Sequence, residues 1–168
     1  MWKIYTSRSL GQAMTFEEIL ARDGILVYKT RGRSMKPMLR NNRDLVVIAP
    51  PSGRLKKYDI ALYKRNGQYV LHRVIAVRQD HYLIRGDNTF VLEKVSDAAV
   101  IGILTGFQRN GTIYAADNPH YLRYVRLWNL LYPLRFAVNG CRKFAVAAAK
   151  KAGFLPALKR LLRHGQNE

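Results

Sequence analysis

The sequence predicts a mainly β protein: a small sheet or barrel-like core, with a short helix before it and basic amphipathic helices after it. Three observations support this fold class. A helix-capping pattern lies near residue 15, short strand-like segments fill residues 24–118, and apolar residues recur at helical spacing after residue 119. We therefore divide the chain into a lead-in (1–23), a core (24–118) and a helical tail (119–168).

The lead-in predicts one short helix. Thr15 and Glu18 have the spacing of a capping box, in which the threonine oxygen caps a free backbone N–H and the glutamate reaches back to the cap residue. The pair Asp23-Gly24 predicts the end of this helix, because glycine readily adopts the left-handed conformation that follows a helix.

The core consists of short segments rich in Val, Ile and Tyr, separated by turn residues. These segments are ILVYKT, DLVVIA, YDIALYK, YVLHRVIAV, HYLIR, VIGILTGF and TIYAA. Asn66-Gly67 and Asn110-Gly111 each lie between two of them, and Asn-Gly favours the tight turns whose twist matches paired strands. The sequence therefore predicts two hairpins within a sheet of many strands.

The tail is basic and amphipathic. Residues 121–168 contain ten Lys or Arg and a single acid, Glu168, and apolar residues recur from Leu127 to Leu134, near Phe144 and from Leu155 to Leu162. One interpretation is a pair of helices that pack on the core and present a charged face to solvent. Another is docking of residues 119–163 on an anionic membrane surface, which interleaved aromatic and cationic residues favour. Nucleic acid is a third and weaker interpretation, because only charge supports it.

Composition limits the remaining choices. The net charge of +18 indicates an anionic partner, and the apolar fraction of 48 % excludes a disordered chain. Cys141 is the one cysteine, so an internal disulfide is excluded. The apolar stretch from Leu127 to Leu134 is shorter than the about 20 residues of a transmembrane helix, and the first residues lack the apolar region of a signal peptide. We therefore expect a cytoplasmic or peripherally membrane-associated protein.

Three polar residues of the core are candidates for nucleophilic catalysis. Ser34 lies in the cationic segment RGRSMKPMLR, His72 lies within a strand, and Asp87 follows Gly86 in a turn. A serine becomes a nucleophile when a neutral imidazole accepts its proton and a carboxylate orients that imidazole. Each residue alone has a simpler explanation: a turn serine, a buried histidine satisfied by its neighbours, and an aspartate that closes a turn.

Four short segments, taken in order, resemble the signal peptidase I family, which shares a serine peptidase superfamily with LexA-type self-cleaving repressors. They are GRSMKP at 32–37, YDIALY at 58–63, LHRV at 71–74 and RGDN at 85–88. The resemblance covers residues 24–105 and implies a mostly β peptidase fold. It implies Ser34 as nucleophile, His72 in the place where typical bacterial members have lysine, Asp87 as the acid, and neither metal nor cofactor. It also implies an extended substrate paired beside a strand and cut after small residues.

Residues next to Ser34 are expected to form the rest of the site. The Ser34 N–H is the first candidate for an oxyanion donor. Many family members have a serine at the position of Gly32, and its hydroxyl can serve as a second oxyanion donor. Neither Gly32 nor its neighbour Arg33 has a hydroxyl, so the sequence identifies no second donor. Met35 either floors the site or packs in the core, and core packing is the simpler interpretation. The family's usual transmembrane anchor is not part of the resemblance.

Lys64 is a rival base, because a buried lysine with a lowered pKa can accept a proton. Since His72 fills the family's position for the base, a solvated face residue is the simpler interpretation of Lys64. We predict a serine endopeptidase that removes a signal or leader peptide from a polypeptide precursor. The alternatives are a peptidase fold with little or no turnover, or a basic module that binds an anionic membrane or nucleic acid.

Overall fold

The computed structural model describes residues 4–5 and 14–151, and in this part of the chain nine strands and three α-helices follow one another. The elements are β1 (Ile4–Tyr5), α1 (Phe16–Asp23), β2 (Leu26–Lys29), β3 (Leu45–Ala49), β4 (Ile60–Arg65), β5 (Gln68–Val77), β6 (His81–Arg85), β7 (Glu93–Ser96), β8 (Val100–Arg109), β9 (Thr112–Ala115), α2 (Pro119–Leu130) and α3 (Tyr132–Lys151). A 3₁₀ turn, Asp97–Ala99, joins β7 to β8.

One sheet contains all nine strands, in the order β1-β2-β3-β8-β4-β5-β6-β7, with β9 paired to β8. The pairs are antiparallel except for β1 with β2. The described strand order ends at β1 and at β7, so this sheet is not closed into a barrel. The predicted mainly β fold, with a short helix before it and two helices after it, is confirmed.

Helix α1 begins and ends where the sequence predicts. The Thr15 side chain accepts from the Glu18 N–H at 3.2 Å, and a Glu18 carboxylate oxygen accepts from the Thr15 N–H at 2.7 Å. Gly24 ends the helix with a φ of 67°. The helix buries Phe16, Ile19 and Leu20 in the main core cluster.

Both predicted hairpins are present. Asn66 and Gly67 join β4 to β5, and Asn110 and Gly111 join β8 to β9, all four with positive φ. This is the conformation that two-residue hairpin turns require. The sequence analysis missed the two-residue β1 and also β7, a strand with a single buried residue, Val95.

The helical part beyond the sheet is largely exposed. The chain divides into two compact units, Met1–Arg126 and Leu127–Glu168, and this division lies inside α2. The second unit exposes large apolar side chains, among them Leu130 at 75 % and Phe144 at 78 %. No helix in the described part of the chain is long and apolar enough to cross a membrane. The predicted apolar positions from 155 to 162 lie outside the described residues.

Candidate active site

Ser34 lies in a long loop that is tied together at its base. Thr30 precedes the loop, and its hydroxyl donates to the carbonyls of Arg40 and Asp44 at 2.9 and 3.1 Å. The Asp44 carboxylate is fully buried and accepts from the side chains of Arg40 and Arg109. Burial raises the pKa of Asp44, but hydrogen bonds from Arg40 and the charge of Arg109 outweigh burial and lower it overall. The loop is therefore anchored by a buried carboxylate that stays ionised.

The residues that follow Ser34 hold the loop against the core. Met35, Met38 and Leu39 are buried in the main apolar cluster. The expectation of core packing for Met35 therefore holds, and the same side chain also lines the cleft described below. Ser34 itself is half-buried, at the boundary between this apolar anchor and solvent.

The turn after β6 binds the backbone on either side of the Ser34 side chain. The Asn88 N–H donates to the Ser34 carbonyl at 2.7 Å, and the Asn88 side-chain amide donates to the Arg33 carbonyl at 3.2 Å. The segment GRSMKP and the segment RGDN, far apart in sequence, thus form one hydrogen-bonded unit. Arg33 takes part through its carbonyl, while its side chain is exposed.

Gly86 lies close to both Ser34 and His72. A Cβ atom placed on Gly86 would be 2.7 Å from the Ser34 carbonyl oxygen and 3.0 Å from His72 Nε2. Real Cβ contacts do not approach so closely, so only glycine fits there without displacement of its neighbours. The structure thereby brings the Ser34 carbonyl and the imidazole of His72 next to the same position, which only the missing side chain of Gly86 leaves open.

The imidazole of His72 is buried and held through Nδ1. Tyr63 Oη lies 3.2 Å from Nδ1 and donates its proton to Glu93 Oε2 at 2.8 Å. Glu93 Oε1 lies 3.4 Å from the same Nδ1. Because the single Tyr63 proton goes to the carboxylate, Nδ1 must be the donor in its contact with Tyr63. In the neutral ring this leaves the lone pair on Nε2, the atom next to Gly86.

The environment keeps His72 neutral at physiological pH. Burial lowers the pKa of His72, and this effect outweighs the charge of Glu93, which raises it. The Arg65 guanidinium, 2.7 Å from Glu93 Oε1, lowers the pKa of His72 further. A neutral imidazole with its lone pair on Nε2 is the form that accepts a proton.

Asp87 is buried and engaged by Arg73. Both of its carboxylate oxygens accept from the Arg73 guanidinium at 2.7 Å. Arg73 is fully buried and also donates to the Tyr58 carbonyl and to Tyr121 Oη. The acid that contacts His72 Nδ1 is Glu93, whereas the sequence analysis expected Asp87. The charge of Asp87 raises the pKa of His72.

Two other residues considered from the sequence also have definite positions. Gly32 adopts a φ of 92°, a conformation that a serine would strain, and its N–H donates to Asn41 Oδ1 at 2.8 Å. Lys64 is exposed, and its Nζ lies 2.7 Å from Glu17. The hydrogen bond to Glu17 raises the pKa of Lys64, opposite to the change that a lysine base requires.

One cleft contains Ser34, His72 and Glu93. Its volume is about 770 Å³, within the range of ligand pockets. Apolar side chains form much of its lining, including Met35, Leu39, Ile48, Leu62 and Leu71. Polar residues also line it, among them Arg65, Thr89 and Glu93. Gly32 also lines the cleft, whereas Arg33 and Asp87 do not.

Comparison with known proteins gives no independent assignment. No family model matches the chain, and a search of curated proteins finds no significant relative. The resemblance to signal peptidases therefore depends on the four segments alone.

Sequence reasoning missed Glu93, Tyr63 and Arg73. Tyr63 and Arg73 do lie inside the segments YDIALY and LHRV, but nothing in those segments indicates that the side chains pair with distant acids. Glu93 comes from β7, which has no clear strand pattern. These partners could be identified only from the strand order, which places β4, β5, β6 and β7 side by side.

Proposed function

We propose that the protein is a serine endopeptidase that removes a signal or leader peptide from a polypeptide precursor. Ser34 is the nucleophile and His72 is the general base. The observation that carries the proposal is that the Ser34 carbonyl oxygen and His72 Nε2 both lie within 3.0 Å of a Cβ built on Gly86, and that Ser34 and His72 line one cleft. The tautomer that Tyr63 and Glu93 impose on His72 adds support, because it leaves Nε2 able to accept a proton.

The reaction follows from these groups. The Ser34 hydroxyl oxygen attacks the peptide carbonyl carbon, and its proton moves to His72 Nε2. The imidazolium is stabilised by Glu93 through Nδ1, and it returns the proton to the departing amine when the C–N bond breaks. Water then attacks the acyl ester with His72 again as base, which releases the carboxylic acid and restores Ser34.

Charge that develops on the carbonyl oxygen needs hydrogen-bond donors in place before reaction. No described residue accepts a hydrogen bond from the Ser34 N–H, so this donor is available. The Gly32 N–H already donates to Asn41. The proposal therefore assigns the first oxyanion donor to the Ser34 backbone and none to Gly32.

The substrate in this proposal is an extended peptide. The apolar lining of the cleft favours apolar side chains, which signal and leader peptides contain in abundance. By its resemblance to signal peptidases, the site is expected to prefer small residues at the first and third positions before the cut.

The test is mass spectrometry of a diverse peptide library incubated with the wild type, with Ser34→Ala and with Ser52→Ala. Ser52 is an exposed turn serine away from the cleft and serves as the matched control. Cleavage by the wild type and by Ser52→Ala, but not by Ser34→Ala, is the expected result. Equal cleavage by all three proteins would assign the activity to a contaminant, and no cleavage by any of them would favour the inactive scaffold.

We propose a second, separate role for the unit Leu127–Glu168: docking on an anionic membrane surface. Its exposed Leu130, Phe136 and Phe144 are unusual for a helix that is merely solvated, and they share the unit with Arg135, Arg142 and Lys143. Flotation with anionic vesicles tests this role. If the protein binds anionic vesicles and the substitutions Phe136→Ser and Phe144→Ser weaken this binding, docking is supported. Equal binding to neutral vesicles would contradict the electrostatic contribution to docking.

A further inference from the structure

A basic hollow lies at the end of the sheet where β2, β3, β8 and β9 meet. Its volume is about 620 Å³, and its lining comprises Lys29, Arg40, Arg43, Leu45, Gln108, Asn110 and Gly111. Strand register explains this grouping, because Lys29 pairs with Leu45, Leu45 with Gln108, and the Asn110-Gly111 turn closes the adjacent hairpin. The hollow is distinct from the cleft, since Ser34, His72 and Glu93 do not line it.

Positive charge in the hollow is poorly compensated. Among the described residues, the carboxylate that pairs with a cation of the hollow is Asp44, which is fully buried and already accepts from Arg40 and Arg109. Lys29 and Arg43 are exposed, and no carboxylate of the described residues forms an ion pair with either of them. Their charges are therefore open to a ligand from solvent.

Arg40 is the rigid member of the group. Its Nε and Nη2 donate to Asp44 Oδ1, and Nη2 also donates to Asn110 Oδ1 at 2.9 Å. These contacts fix the guanidinium beside the Asn110-Gly111 turn. These contacts use Nε and Nη2, which leaves Nη1 to donate to a ligand. A guanidinium held in place loses little freedom when an anion binds.

From these contacts we propose that the basic hollow binds a phosphate-bearing anion. Arg40 supplies a fixed donor, while Lys29 and Arg43 close on the anion from β2 and from the end of the Ser34 loop. The ligand is either free phosphate or the phosphate of a lipid headgroup, because both present the same oxygens. The proposal does not depend on peptidase activity, and a binding measurement tests it alone.

The experiment is an NMR titration of the ¹⁵N-labelled full chain with inorganic phosphate and, separately, with monomeric short-chain phosphatidylglycerol. The test variant is Lys29→Gln with Arg43→Gln. The matched control is Lys56→Gln with Lys94→Gln, which removes the same charge from exposed positions outside the hollow. Saturable shifts are expected at Lys29, Asn110 and Gly111. Since each cation near an anionic lipid surface contributes roughly fivefold, the loss of two should weaken binding about 25-fold in the test variant, and binding should remain near wild type in the control.

The two ligands distinguish the sources. Saturation by inorganic phosphate at these residues assigns the hollow to free phosphate, and saturation by phosphatidylglycerol alone assigns it to a lipid headgroup. Shifts spread over all exposed cations, equal weakening in both variants, or no saturation by either ligand would overturn the proposal.

Discussion

The two carboxylates near His72, half-buried Glu93 and buried Asp87, should have separable roles, and paired substitutions can show this. Glu93→Gln removes the charge next to Nδ1 but keeps the size of the side chain. Unit charges 3.4 Å apart interact by about 5 kcal/mol at an effective dielectric constant of about 20, and Arg65 on the same oxygen offsets part of this. Loss of about half that stabilisation of the imidazolium would reduce kcat/KM on the order of 10²-fold.

The pH profile gives Glu93→Gln a second signature. The proposed mechanism requires neutral His72, and burial lowers the pKa of His72, so kcat/KM should rise with pH along a limb below about 6.5. The charge of Glu93 raises the pKa of His72, so its removal lowers that pKa further. The acid limb of Glu93→Gln should therefore move to lower pH while the plateau falls. A merely unfolded fraction would lower the plateau without moving the limb.

Asp87→Asn should behave differently, because it leaves the buried charge of Arg73 without its bidentate partner. The side chains of this pair are 0 % and 2 % exposed, and breaking a buried pair costs about 3–5 kcal/mol. Urea denaturation should show this loss, whereas Glu93→Gln should change the free energy of unfolding by less. If instead Asp87→Asn stays stable and moves the acid limb, while Glu93→Gln leaves both unchanged, Asp87 is the orienting acid and our interpretation of Glu93 is wrong.

Three further predictions follow from single contacts. Gly86→Ala should remove most activity, since the added methyl group would displace the Ser34 carbonyl or the His72 ring. Peptide cleavage assays measure the loss of activity, and thermal denaturation of the same variant shows whether unfolding explains it. Lys64→Gln should leave kcat/KM within about twofold and the acid limb in place, and a lost limb in its pH–rate profile would restore lysine as the base. Asp44→Asn should lower the free energy of unfolding by about 3 kcal/mol. The pKa of Asp44 is lower in the folded protein than in the unfolded chain, so the unfolded chain takes up this proton at a higher pH. The free energy of unfolding of the wild type, measured by urea denaturation, should therefore decline as pH falls below about 4.

Local chemistry in the sequence was enough to predict the elements that depend on it. The capping box at Thr15, the stop at Gly24 and both Asn-Gly turns require only neighbouring residues, and all are present. β7 depends instead on pairing with β6, and its sequence, with one buried residue, gives no periodic signal.

The candidate site divides in the same way. The order of Ser34, His72 and Asp87 along the chain was visible, but which acid reaches the imidazole depends on strand register. Ala61 pairs with His72, so Tyr63 of the same strand lies diagonally opposite His72 on the same face. β7 then brings Glu93 to the Tyr63 hydroxyl, across a separation of 30 residues. No local pattern encodes such a contact.

Separate sets of contacts hold the proposed nucleophile and the proposed base in place. Ser34 is held by the turn that contains Asp87 and Asn88, and the buried guanidinium of Arg73 holds this turn through Asp87. His72 is fixed by Tyr63 and Glu93 on the other side of the ring. Replacement of the buried Arg73–Asp87 pair by apolar residues of similar volume could keep or raise stability, yet it would remove the directional bonds that position the turn. The Arg73–Asp87 ion pair therefore matters more for the position of this turn than for the stability of the fold.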